Sequence, residues 1–307
     1  MKVIFDPEES IQYPTSATIG NFDGVHLGHK KILRAVSETA GKKGLSSCVI
    51  TFHPHPQKVL QNIEIPLLMP IRERLRLFEK EGMDFTACYT FTEEISKISA
   101  KDFISRILVG KLNVKHLIVG HDFCFGRKRE GNAELLKTMG GKYDFETSVL
   151  GPVFIGNEVV SSRTIRDILK SGDPQKAAKF LGYYYYIEGQ VTEGEKRGRI
   201  IGYPTANLHT DWDIIPKTGV YATRAVSDDR TFDSITNIGY RPTFGERKLL
   251  IETHIFDFNS DIYGKRLKLE FIERIRDEQR FENVDALAAQ IKRDVESVKK
   301  VLSAPSV

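Results

Sequence analysis

The chain has 307 residues and a nearly balanced charge, with 45 Lys and Arg against 41 Asp and Glu and a net charge of +4. This length allows two domains, since domains commonly have about 100–200 residues, and the spread of charge suits anionic small ligands better than a nucleic-acid-binding arm. The three cysteines are odd in number, far apart and in no CxxC pattern, so they indicate neither a disulfide framework nor a zinc ribbon. We find no apolar run of membrane-spanning length and no charged-then-apolar leader, and therefore expect a cytoplasmic protein without a membrane partner.

Short apolar runs alternate with helix-like segments between residues 15 and 150. This alternation predicts βαβ units on a parallel sheet. The runs are SATIG, SSCVITF, FTACYTF, KHLIVG and FETSVL, and the helical segments include 30–40, 71–80 and 100–112. Ligands of parallel sheets bind at the carboxyl ends of the strands. The polar residues expected at that edge are Asn21 after Gly20, His53, and His121 and Asp122 after Gly120.

The segment ATIGNFDGVHLGH brings two histidines to the start of a predicted helix. His26 and His29 are three residues apart and therefore share one helical face. The first turn of a helix offers free N–H groups and a partial positive charge to an anion, and Gly20, Gly24 and Gly28 let the backbone approach a ligand. We interpret this segment as a phosphate-binding site for a nucleotide. The alternative is that one or both histidines are ordinary solvent-facing or hydrogen-bonded residues.

The pattern changes after Pro152. Residues 161–173 predict a helix that ends near Gly172, and residues 177–181 predict a second short one. From Tyr183 onward, short runs with period-two alternation are separated by Gly, Pro and Asp and predict a small antiparallel barrel. The tail predicts one amphipathic helix that packs against the barrel, with its apolar stripe at Val284, Leu287, Ile291, Val295, Val298 and Leu302.

Eight motifs in this order resemble the bifunctional bacterial riboflavin kinases and FMN adenylyltransferases, also called FAD synthetases. They are GNFDGVHLGH, TFHPHP, VGHDFCFGRKREGN, SSRTIR, GRIIGYPTANL, NIGYRPTFG, ETHIFDFNSDIYGK and IRDEQRF. The resemblance implies an α/β Rossmann-like nucleotidyltransferase domain over residues 1–182, followed by a small antiparallel six-stranded β-barrel domain with a C-terminal helix over 183–307. It also implies that riboflavin and ATP give FMN and ADP, that FMN and ATP give FAD and pyrophosphate, and that Mg²⁺ serves both steps.

The resemblance assigns the first half to adenylyl transfer, with His26 and His29 as hydrogen-bond donors to the phosphates. Asn21 and Asp23 are candidates for orienting ATP, although Asp23 could instead cap a turn. The GRKREG loop is a candidate triphosphate grip or a solvated basic loop. SSRTIR is similar to the family's SSTxIR, with Arg163 at the usual Thr position. The implied binding residues are Gly20, Asn21, Phe22, Asp23, Gly28, Asp122, Arg127, Ser161, Ser162 and Arg166.

His53 and His55 in TFHPHP raise the possibility of a metal site. Flanking prolines and the absence of a clear third ligand favour a structural or nucleotide-lining role instead.

The second half is assigned to riboflavin phosphorylation. Thr205 and Asn207 offer neutral oxygens to Mg²⁺, which prefers few protein ligands alongside phosphate and water. Glu252 is the candidate base for the ribityl hydroxyl, because strand alternation places it on one face with His254 and Phe256; the alternative is a solvent-facing strand glutamate. Phe281 could also be a core residue. The implied nucleotide- and flavin-binding residues are Gly198, Gly202, Pro204, Arg280 and Phe281.

Two other functions remain open at this point. The chain could retain only one of the two activities. It could also be a flavin-binding regulator that contacts nucleic acid, although no concentrated basic face supports that function.

Overall fold

The structure is a computed structural model that describes residues 1–61, 64–193, 202–242 and 247–304. The chain divides into two compact units, Met1–Ser162 and Arg163–Val307. The division falls at the start of a helix, so the two helices that precede residue 182 belong to the second unit.

The first unit is built on a six-stranded sheet in the order β1-β4-β3-β2-β5-β6, and every neighbouring pair is parallel. This confirms the predicted βαβ organisation. The sequence did not indicate β1, which is a four-residue edge strand. The strands are β1 (Lys2–Phe5), β2 (Thr15–Ile19), β3 (Ser46–His53), β4 (Phe85–Thr90), β5 (Val114–Gly120) and β6 (Glu146–Leu150).

Helices pack against this sheet and bury its hydrophobic residues. The predicted helix at 100–112 becomes regular α-helix only at its start, and Phe103–Val109 form a π-helix that buries Phe103, Ile104 and Leu108. A short hairpin, β7 (Phe154–Ile155) and β8 (Glu158–Val159), follows the sheet. The helices are α1 (Leu27–Lys43), α2 (Pro56–Gln61), α3 (Ile71–Lys80), α4 (Glu93–Ser96), α5 (Ala100–Asp102) and α6 (Ala133–Tyr143).

The three cysteines are free thiols. Cys48 in β3 and Cys88 in β4 are buried, whereas Cys124 in the loop after β5 is exposed. Burial raises the pKa of the Cys88 thiol to about 11 and also raises that of Cys48.

The second unit contains the closed antiparallel barrel that the sequence predicted, with strands in the order β10-β13-β12-β11-β14-β9. The helices α7 (Ser162–Ser171) and α8 (Pro174–Leu181) precede it. Gly172 ends α7 with a left-handed φ of 89°. The barrel strands are β9 (Tyr186–Thr192), β10 (Ala206–His209), β11 (Gly219–Ser227), β12 (Arg230–Pro242), β13 (Arg247–Ile255) and β14 (Arg266–Arg276).

The final helix, α9 (Val284–Ser303), packs on the barrel as predicted. Val298 and Leu302 are buried in a cluster with Val220 and Phe256. The expectation for Val284 was wrong: it is 59% exposed and lies outside the buried stripe. In the described part of the chain, no helix combines the length and hydropathy needed to cross a membrane.

Candidate active sites

The first candidate site lies at the carboxyl edge of the parallel sheet. Strands β3, β2 and β5 are neighbours in that sheet, so the residues that follow them share one edge, as the sequence predicted. Asn21 follows β2, His53 ends β3 and Asp122 follows β5.

The two histidines form a stacked pair at the start of α1. Their ring centroids are 3.6 Å apart, with 17° between the ring planes. His26 precedes the helix as its N-cap instead of lying within it, and its Nδ1 accepts the backbone N–H of His29 at 3.3 Å. Gly28 leaves room for this arrangement, because a Cβ at that position would lie 3.2 Å from the His26 ring.

Both imidazoles are neutral at pH 7. Burial lowers the pKa of His26 to about 4. The pKa of His29 is also lowered well below 6.5, first by burial, then by the repulsion that a protonated His26 would exert, and then by the charge of Arg74. Because Nδ1 of His26 accepts a hydrogen bond, its proton is on Nε2. Nδ1 of His29 is buried and makes no hydrogen bond within the described residues.

The loop before α1 contains two residues with left-handed backbone and contacts the second histidine. Phe22 and Val25 adopt left-handed backbone conformations, with φ of 51° and 35°. The Phe22 ring stands edge-on to His29, at 5.1 Å between centroids. A Cβ at Gly20 would approach the Phe22 ring to 3.0 Å, so this glycine accommodates an aromatic ring of its own loop.

Asp23 ties this loop to two other segments. Its carboxylate oxygens accept the Leu68 N–H at 2.9 and 3.1 Å, and Asp23 is only 3% exposed. Its carbonyl accepts the Ser162 hydroxyl at 2.8 Å. The Asp23 carboxylate therefore has a structural role in fixing the loop. Ser162 begins α7, with Ser161 immediately before it and Arg166 in its second turn.

Asn21 is held through both its backbone and its side chain. The buried Arg74 guanidinium donates from Nη1 to the Asn21 carbonyl. Asn21 Nδ2 is placed 3.0 Å from His55 Nε2, while His55 Nδ1 accepts the Gln57 N–H at 3.3 Å. A neutral imidazole that accepts at Nδ1 carries its proton on Nε2, so we assign the Asn21 amide oxygen as the acceptor facing His55.

The histidines of TFHPHP therefore have different environments. His55 contacts Asn21, whereas His53 is exposed. No group of three His, Cys, Asp or Glu side chains that could hold a metal ion occurs within the described residues.

Sequence reasoning missed Arg74. It is three and four residues before the buried Leu77 and Phe78, so helical periodicity places it on the inner face of α3. A cation on an apolar helical face was the signal that could have identified it.

The basic loop after β5 is exposed. Arg127, Lys128 and Arg129 form a 3-10 turn whose second and third residues have φ of 53° and 60°. Gly126 has a φ of 72° and no space for a Cβ, which would lie 2.7 Å from Ala100. The Asp122 side chain is also exposed.

The second candidate site includes a cavity of about 490 Å³ in the barrel unit, whose lining contains neither Glu252 nor Asn207. Thr205 and Thr253 line one part of it, and Asp261 belongs to the 258–263 segment that lines another. Gly202 precedes the Thr205 segment with a φ of 84°. Gly198 lies outside the described residues.

Strand register places Glu252 between two asparagines. Glu252 in β13 is directly opposite Asn207 in β10 on one side and Asn237 in β12 on the other. Side chains of directly opposed residues project from the same face, with Cβ atoms about 5 Å apart. The predicted alternation is confirmed, because Glu252 is half-buried while its neighbours Ile251 and Thr253 are buried.

His254 anchors the segment that carries the proposed metal ligands. Its Nδ1–H donates to the Pro204 carbonyl at 2.8 Å, and its ring stands edge-on to Tyr203 at 5.4 Å. The sequence placed His254 on the Glu252 face but did not indicate this contact, which joins residues 50 positions apart.

The segment before α9 is fixed at its base. Arg276 forms a bidentate ion pair with the buried Asp294, with nitrogen–oxygen distances of 2.7 and 3.0 Å. The Arg276 guanidinium also lies 5.8 Å from the Phe281 ring centroid. Phe281 is half-buried and Arg280 is exposed.

Comparison with known families divides the chain in the same way as its two folds. The FAD synthetase family model matches residues 8–164, and the riboflavin kinase family model matches residues 181–302. The bifunctional riboflavin kinase/FMN adenylyltransferase of Bacillus subtilis is 37% identical over 293 residues, covering 93% of this chain and 92% of its relative. The protein of the same name from Escherichia coli is 37% identical, and the alignment covers 90% of this chain and 89% of the Escherichia coli protein.

A solved structure supports the fold over nearly the whole length. The crystal structure described as a macrolide-efflux protein from Streptococcus pneumoniae superposes with a TM-score of 0.90 and 30% identity, covering 97% of this chain and 99% of that one. Its name points to transport, whereas both family models and the curated relatives point to flavin chemistry. The chain belongs to the family of bifunctional riboflavin kinases/FMN adenylyltransferases.

Proposed function

We propose that the protein makes FAD from riboflavin in two ATP-dependent steps. The barrel unit phosphorylates riboflavin to FMN, and the parallel-sheet unit transfers AMP from ATP to FMN with release of pyrophosphate. The proposal is supported by family matches to both halves of the chain. The observation that carries the second step is the pair of neutral imidazoles at the carboxyl edge of the sheet.

Adenylyl transfer needs no nucleophile from the protein. An oxygen of the FMN phosphate attacks the α-phosphorus of ATP, the bond to the β-phosphate oxygen breaks, and pyrophosphate leaves with its electron pair. The protein's part is to position the phosphates and stabilise the charge that develops on them. His26 donates from Nε2–H and His29 from its own ring N–H, while the first turn of α1 adds backbone N–H groups.

The remaining predicted residues would surround this centre. When the Asn21 amide oxygen faces His55, the amide nitrogen takes a buried position that has no hydrogen-bond partner within the described residues, and we propose that it donates to the nucleotide. We keep the exposed Arg127 and Gly20, Phe22, Gly28, Asp122, Ser161 and Ser162 in the proposed nucleotide site. Arg166 belongs to the second unit and remains a proposal from the sequence alone. Asp23 supports that site through Leu68.

At the kinase site, Glu252 accepts the proton of the ribityl 5′-hydroxyl as that oxygen attacks the γ-phosphorus and ADP leaves. Half-burial between two asparagines is a suitable environment for a general base. Gly202, Pro204, Arg280 and Phe281 remain in the proposed nucleotide and flavin site, and Gly198 remains a proposal from the sequence alone.

The residues near Glu252 fit Mg²⁺. Asn207 is directly opposite Glu252 in the strand register, and Thr205 is two residues before Asn207 in the chain. A hydroxyl, an amide oxygen and a carboxylate are the kind of oxygen-only donor set that Mg²⁺ takes together with phosphates and water. When bound there, Mg²⁺ would neutralise negative charge on the ATP phosphates.

The proposed partners are therefore small molecules: riboflavin, FMN and ATP. We place the reactions in the cytoplasm, where the three free thiols would stay reduced. We propose no nucleic-acid or membrane partner.

Incubation of the purified full-length protein with riboflavin, ATP and Mg²⁺, followed by chromatography, tests this function. FMN and FAD should both form, and FMN supplied alone with ATP should give FAD and pyrophosphate. Accumulation of FMN without FAD would show that only one activity is retained. Salt-sensitive RNA or DNA binding without turnover of flavin would support the regulator instead.

A further inference from the structure

Arg74 is a buried cation without a matching counter-ion. Its side chain is fully buried in α3. Nη1 donates to the Asn21 carbonyl, but Nε and Nη2 have no hydrogen-bond partner within the described residues. No carboxylate in the described part of the chain lies within ion-pair distance of it; Asp23 acts on it only as a more distant charge. Burying a charge without a counter-ion costs several kcal/mol of folding free energy. An apolar residue at this position would therefore give a more stable core.

The position of Arg74 relates it to the adenylyltransferase site. Its one hydrogen bond fixes the backbone of Asn21, at the turn between β2 and the histidine pair. Its charge acts on His29, in the first turn of α1, and on His53, at the end of β3. Positive charge in a low-dielectric environment acts over longer distances than it does in water.

We propose that Arg74 is a positioning residue for ATP in adenylyl transfer, because it fixes the Asn21 carbonyl and provides a permanent positive charge beneath the phosphate site. The inference rests on the proposed function. Arg74 does not touch the reacting atoms. It fixes the backbone of the turn that positions Asn21 and the two histidines. The phosphates of the bound nucleotide supply the negative charge that no carboxylate of the described residues provides to Arg74.

Three full-length variants test this role. Arg74→Met removes the charge and the hydrogen bond but keeps an unbranched side chain. Arg74→Lys keeps the charge. Arg76→Met, on the same helix, is the matched control, because the Arg76 side chain is 59% exposed and pairs with Glu73. For each variant, kcat and KM for ATP and for FMN are measured in FAD formation. Riboflavin phosphorylation by the same sample and the thermal midpoint report on folding.

We expect Arg74→Met to lower kcat/KM for ATP by about 10²-fold, the size of effect seen when a reacting group is misplaced by ~1 Å. KM for FMN and riboflavin phosphorylation should stay within about twofold. Arg74→Lys should recover at least about tenfold of the loss, because it restores the charge, and Arg76→Met should behave as the unaltered protein.

The proposal would be overturned if Arg74→Met formed FAD at close to the unaltered rate, or if Arg74→Lys were as defective as Arg74→Met. It would also be overturned if neither variant folded, because the role of Arg74 would then be purely structural. If the unaltered protein formed no FAD from FMN and ATP, the proposed function itself would fail.

Discussion

Acidification tests whether His26 is held as a buried, neutral helix cap. In the unfolded chain a histidine titrates near 6.5, whereas burial lowers the pKa of His26 to about 4 in the folded protein. Between these values the unfolded state binds a proton that the folded state does not, so stability falls as the pH is lowered. At about 1.36 kcal/mol per pH unit, the gap between 6.5 and about 4 corresponds to ~3 kcal/mol. The contribution of His26 is complete above 6.5 and lost below 4.

His26→Asn is the matched variant. Asparagine does not titrate, and its side-chain oxygen can accept the His29 N–H as a helix cap. The free energy of opening is measured by hydrogen exchange of the core amides in β2 and β3, from pH 7.5 to pH 4, because these strands report on the first unit alone. The unaltered protein should lose ~3 kcal/mol more than His26→Asn over this range. Parallel pH profiles for the two proteins would show that His26 is not buried as a neutral group, and the reasoning would be refuted.

Three further predictions concern catalysis. Glu252→Gln should lower FMN formation from riboflavin by at least about 10²-fold, the usual minimum for loss of a general base, and should leave FAD formation from supplied FMN unchanged; loss of both activities in a folded protein would contradict separate sites. His254→Phe keeps a ring but removes one hydrogen bond of ~1 kcal/mol, so KM for ATP in riboflavin phosphorylation should rise by about fivefold, and an unchanged KM would rule out its anchoring role. Gly28→Ala places a Cβ 3.2 Å from the His26 ring and should lower the rate of FAD formation by about tenfold. Gly41→Ala, on the same helix, places a Cβ that meets no atom within 4 Å and should leave that rate unchanged. Equal rates of FAD formation for the two variants would show that catalysis does not depend on the position of the His26 ring.

Much of the fold could be predicted because local patterns determine it. The apolar runs of the first half became strands β2 to β6, and alternation in residues 249–258 gave the half-buried position of Glu252. β1 was missed because four residues at a sheet edge carry too little periodicity. The π-helix at Phe103–Val109 was missed because its wider coil depends on packing against the sheet, which a helical pattern does not encode.

The candidate site was predicted only in part, for a similar reason. Sequence spacing brought His26 and His29 together, but the stacking of their rings depends on His26 leaving the helix to cap it. The contacts of Arg74 with Asn21 and of His254 with Pro204 join residues more than 45 positions apart. Such contacts follow from the tertiary fold and have no local signature.

The distribution of thiols gives the protein a selective handle for chemical labelling. Cys48 and Cys88 are enclosed in the sheet, and their raised pKa values keep them protonated and slow to react with alkylating reagents. Cys124 alone is exposed, three residues before Arg127 in the loop after β5. A maleimide fluorophore should therefore attach at one position, beside the basic loop, and report on nucleotide binding without any cysteine having to be replaced.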